Sequence, residues 1–170
     1  MDKIKHAFED YKAILGQIDA RRSFWTQEIH KRIKDTLTEI KDSLKMDCTL
    51  QDLQLYKNYS AINLHFNFKP SGIEPLHRGE KFEGYTKEGG YLAFSQSYNG
   101  IIFVIIGFPK IKGIIFNEKE PIKRLDYVEP ASLTVEKIHE YVILFLKTLS
   151  EYEAQENKDI ERTPMGYKVE

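Results

Sequence analysis

Apolar side chains recur near the start of the chain at Ile4, Phe8, Tyr11, Leu15, Ile18, Trp25, Ile29, Ile33, Leu37, Ile40 and Leu44, with Arg22 filling the one gap in the series. Their mean spacing is about 3.64 residues, the period of a straight α-helix rather than the 3.5 of a coiled coil, so the seam is expected to lie straight along a surface. Unbroken, about 42 helical residues reach roughly 60 Å, whereas a compact chain of this length is about 40 Å across. The helix therefore breaks or projects. Only 16–23, with Gly16 and with Ser23 as an N-cap, offers a place to break, and projection toward a partner is the favoured expectation.

The pattern then changes period. Leu53 and Leu55 hint at a short strand, and Ile62, Leu64, Phe66 and Phe68 alternate with Asn63, His65, Asn67 and Lys69, the signature of a strand with one face buried and one wet. Residues 70–90 hold two prolines after Pro70 is counted with Pro75, five glycines and few apolar anchors, and are expected to form a long loop. The segments 91–98 and 101–107 flank Asn99-Gly100, which predicts a hairpin with a type I′ turn. The unbroken run 101–106 predicts an interior strand covered on both faces. Further strands are expected at 111–117 and, as an edge piece, at 122–128. Thr134 is placed as the N-cap of a last helix ending near Tyr152, with Leu133 and Ile138 as a hydrophobic staple and Glu136 in the first turn. Its middle, 141–146, is apolar all round, so a second cover is expected there.

These elements define an α+β fold: a long N-terminal helix, continuous or broken near 16–23, an antiparallel sheet of four to five strands, and a C-terminal helix packed on the sheet. The 170 residues fit one domain over 1–156, and 157–170 is expected to be a flexible acidic tail, since 151–170 carries six acids against three bases. Charge is balanced at 25 basic and 26 acidic residues, which gives no global field toward nucleic acid or an anionic membrane. The lone Cys48 excludes an internal disulfide, the longest uncharged apolar runs fall far short of a bilayer span, and the first ten residues lack the apolar run of a signal peptide. A cytoplasmic protein without a membrane partner is expected.

Motifs of defined chemistry are scarce. Gly84, Gly89 and Gly90 fit neither the dinucleotide nor the P-loop spacing, and no serine nucleophile elbow occurs. None of the five histidines stands three or four residues from another, so no metal and no cofactor is expected. The constellation left over is His65 on the polar side of its strand with His77, Arg78 and Glu80 in the segment that follows. His65, His77 and Glu80 are the candidate catalytic groups, since imidazole and carboxylate can shuttle a proton, while Arg78, Asn63 and Asn67 are the candidates to hold a ligand. A solvated surface is the plainer reading of His65 beside Asn63, Asn67 and Lys69. Arg21, Arg22, Lys31, Arg32 and Lys34 are the densest basic cluster, but Glu28, Asp35, Glu39 and Asp42 interleave with them, as on a salt-bridged solvent face.

Three function classes follow. The first is a non-enzymatic interaction or accessory protein acting as a homodimer, suggested by the overlong helix and by the C-terminal helix apolar on every side. The second is a small-ligand- or metal-binding protein or hydrolase, with its site between the 62–69 strand and the 70–90 segment. The third, nucleic-acid binding through the first helix, is the least favoured by the charge pattern.

Overall fold

The computed structural model describes residues 1–56, 59–72, 85–111 and 122–154. Helix α1 (Asp2–Phe24), a π-helical turn (Trp25–Ile29) and α2 (His30–Ser43) follow one another without a break, so the helix does not end at 16–23. Nothing in the Asp19–Ser23 stretch forces a stop, because no proline removes a backbone donor there. The π turn has a reason in the seam. Trp25, Ile29, Ile33 and Leu37 are each four residues apart, and four residues overshoot a full α-turn by about 40°. The wider i→i+5 turn, in which the His30 N–H bonds the Trp25 carbonyl, offsets part of that drift and keeps all four side chains in the core.

Five antiparallel strands form the main sheet in the order β1 (Cys48–Tyr56), β2 (Tyr59–Phe66), β5 (Tyr91–Gln96), β6 (Ile102–Gly107), β8 (Ile122–Val128). A smaller sheet joins β3 (Lys69–Pro70), β4 (Thr86–Glu88) and β7 (Lys110–Ile111). Within the stretch expected to be loop, 70–90, there is thus a short strand at Thr86–Glu88. The remainder of that stretch from 73 to 84, the predicted strand residues 112–117 and the predicted tail lie outside the described residues.

Helix α3 (Val135–Glu153) packs with α2 on one face of the large sheet. Ile62 and Leu64 of β2, Leu92 and Phe94 of β5, and Ile102, Val104 and Ile106 of β6 meet Trp25, Ile29, Ile33 and Leu37 from one helix and Ile138, Val142 and Phe145 from the other. The Phe145 ring stacks on Phe66 at 5.8 Å. Thr134 caps α3 by accepting the Lys137 N–H, and Leu133 and Ile138 are both fully buried, as a staple requires.

Two expectations about covering layers need correction. Strand β6 is interior to the sheet, but its burial alternates: Ile102, Val104 and Ile106 are buried while Phe103 and Ile105 are half-buried. Among the described residues no helix lies over the second face. Likewise Ile143 and Leu144 of α3 are 56% and 42% exposed, because only one side of that helix meets the sheet. The hairpin joining β5 and β6 forms where Asn99-Gly100 stands, with a different turn. The Gly100 N–H bonds the Ser97 carbonyl and only Gly100 has positive φ, which describes a type I turn closed by a left-handed glycine. No helix of the described residues is long and apolar enough to cross a membrane.

Candidate functional site

The second face of the large sheet is built from alternate residues, and its registers bring Thr49, His65, Tyr91 and Gly107 into one row and Gln51, Asn63, Ala93 and Ile105 into the next. Near the end of these rows the small sheet crosses the large one. Gly89 allows the crossing, since a Cβ there would stand 2.4 Å from the Phe66 carbonyl oxygen. Tyr91 lies over Gly107, where a Cβ would fall 2.1 Å from the ring, so the glycine makes room for the phenol. The junction encloses a cleft of about 280 Å³.

His65 lies within it and is 7% exposed, so it is not the solvated surface histidine that its polar neighbours suggest. Tyr91 stacks on its ring at 6.0 Å, and Glu88 of β4 brings Oε1 to 3.7 Å from its Nε2, ion-pair range but too long for a hydrogen bond. Lys110 of β7 stands opposite Glu88 in the register, with Nζ 3.4 Å from Oε2. Asn63 also lines the cleft, and its Oδ1 is buried without a hydrogen-bond partner. Imidazole and carboxylate side by side are suited to moving a proton or holding hydroxyl hydrogens. No group of three or more His, Cys, Asp or Glu able to hold a metal occurs among the described residues.

Asn67 is elsewhere. It donates to Asp47 and accepts from Thr49, each at 2.7 Å, and so ties the start of β1 to the end of β2. The bond from Asn67 and then the Lys69 ammonium hold the Asp47 carboxyl below its ordinary value. His77, Arg78 and Glu80 lie outside the described residues. The sequence reading did not single out Glu88, Lys110, Tyr91 or Gln51. Only Gln51 and Tyr91 carried a usable signal, the period-two alternation that places them on the His65 side of their strands.

A second region is the first part of α1. No residue of α1 is buried, and Ile4, Phe8, Tyr11, Ile14 and Leu15 are between 42% and 70% exposed. Among the described residues the body grips the helix at its end. Gly100 passes so close that a Cβ would stand 2.6 Å from the Arg21 Cβ, Arg22 donates to the Tyr98 carbonyl, and Arg21 donates to Glu129 with its Nε at 2.8 Å. The basic cluster is drawn into such pairings: Arg32 donates to Glu28 and to the Leu133 carbonyl, and Lys34 to Asp52. Burial acts to raise the Asp52 carboxyl, but its bonds from His30 and Lys34 outweigh that and hold it low.

Compared with known proteins, the chain matches no family model, no curated protein and no solved structure.

Proposed function

We propose that this protein is a non-enzymatic interaction protein that acts as a homodimer, paired through the first part of α1. The observation that supports this reading is the exposed stripe Ile4, Phe8, Tyr11 and Leu15, on a part of the helix in which, among the described residues, no side chain is buried before Ile18. These four positions and Ile18 alternate in steps of four and three, the spacing of a seam between two helices. Leaving such a stripe in water forfeits about 25 cal/mol for every Å² that pairing would bury. A second copy is the occupant the stripe fits, because a two-fold pairing sets the same apolar stripe against itself, and two-fold dimers are the commonest oligomers. The exposed part of the helix carries both signs, with Lys3, Lys5 and Lys12 against Asp2, Glu9 and Asp10, so neither an anionic membrane nor a polyanion is favoured over a second copy.

Light scattering at about 50 μM, well above a micromolar dissociation constant, should give twice the 19.9 kDa chain mass. The double substitution Phe8→Glu with Leu15→Glu should return the mass to that of one chain while keeping the melting temperature that the unaltered protein shows at low concentration, since neither side chain is buried in the single chain. A single-chain mass for the unaltered protein at that concentration would refute the reading.

A further inference from the structure

We propose that the cleft between the two sheets binds a small neutral polyol of monosaccharide size. This inference is independent of the pairing through α1, because the cleft and the exposed stripe share no residues. Its starting point is the polar part of the lining, where Gln51 and Asn63 of the large sheet bring side-chain amides, Glu88 of the small sheet a carboxylate and His65 an imidazole. A ligand matched to them carries several groups that both donate and accept hydrogen bonds, as hydroxyls do.

Charge narrows the class. Glu88 already faces Lys110 at 3.4 Å and His65 at 3.7 Å, so the acid of the cleft is balanced by the protein itself. A cation entering here meets Lys110 and an anion meets Glu88, and either leaves a charge poorly solvated; hydroxyl groups do neither. The lining also includes the exposed side chains of Phe68 and Ile122, apolar surface for the C–H face of a ring. A volume of about 280 Å³ equals roughly nine waters at about 30 Å³ each, room for one ring and its substituents. A molecule with many O–H donors, an apolar face and no net charge is a polyol. A flat heterocycle would use the apolar surface but present too few donors to the amides and the carboxylate.

The test is a titration followed by the side-chain amide signals of Gln51 and Asn63 and the backbone signals of Gly89 and Gly107 in two-dimensional NMR. The probes are glucose, N-acetylglucosamine and myo-inositol, each to about 10 mM, against glucosamine and glucose 6-phosphate as charged counterparts. Saturable shifts at these four residues with at least one neutral probe, weaker or absent with the charged ones, are expected. Asn63→Leu and Glu88→Gln should each weaken that binding about tenfold with an unchanged fold, read from the remaining amide signals. No shift with any neutral probe overturns the proposal. Shifts with only the charged probes overturn it too, as does binding that both substitutions leave intact.

Discussion

Tyr141 donates to the Asp126 carboxylate at 2.5 Å, and with the Lys137 ammonium 3.8 Å from the same carboxylate it fastens α3 to the edge strand β8. The bond from Tyr141, then the Tyr127 N–H and the Lys137 charge, outweigh burial and hold the Asp126 carboxyl below its ordinary 3.8. Burial, and then the carboxylate itself, push the Tyr141 phenol up. A carboxyl whose folded value is depressed contributes stability that is fully present above its unfolded value and is lost as pH falls through the folded one. Tyr141→Phe should therefore lower the melting temperature at pH 7, by a change worth about 1 kcal/mol. The gap between the two proteins should close as pH falls below about 4, which melting curves from pH 7 to pH 3 would check. At this scale the sequence was legible only where a residue acts on its own neighbours. Thr134 reads as a cap because its partner is Lys137, three residues on. The burial of His65 does not read, because Glu88 and Tyr91 reach it from β4 and β5.

Among elements, the long helix is two devices joined by the π turn. From Ile4 to Ile29 the seam steps alternately by four and three, and from Ile29 onward mostly by four, so the overall mean of about 3.64 blends two different spacings. Averaging hid the boundary that the structure places at Trp25–Ile29. The consequence can be tested on one turn of α2. Ile33 is fully buried against the sheet whereas Lys31 is exposed, so Ile33→Asp strands a charge in the core and should cost several kcal/mol, enough to unfold the protein or lower its melting temperature steeply. Lys31→Asp should change it by no more than about 0.5 kcal/mol. Equal melting by both variants in thermal denaturation would contradict the packing of this helix. The strands follow the same lesson. The apolar run 101–106 reads as doubly covered, yet β6 buries only alternate residues against the helices, and composition cannot say which layer faces the other side. Asn99-Gly100 does mark the hairpin, but the turn type is decided by Arg21 and Ile18 of α1, against which only a glycine fits.

For the whole molecule, fold class was legible because it depends on period, and both periods are strong: 3.6 at the two ends and two between them. The surface proposed for association was legible as excess, a helix longer than a compact chain of this length is across. That excess makes a physical prediction about the chain in isolation. Most helical stability in proteins comes from tertiary packing of an apolar face, and Gly16, which sits near the root of the exposed part, costs about 1 kcal/mol relative to alanine. The part of α1 before Ile18 has no buried residue to hold it. In a single chain it should fray, and pairing should order it. Circular dichroism at 222 nm, expressed per residue, should therefore grow with protein concentration over the same range in which light scattering shows the mass doubling. A chain lacking residues 1–16 should show neither change and should melt where the full protein does at low concentration. A mass that doubles while the helical signal stays constant would place the contact elsewhere. The exposed Ile143 and Leu144 of α3, already helical and anchored to the sheet, would then be the surface that pairs.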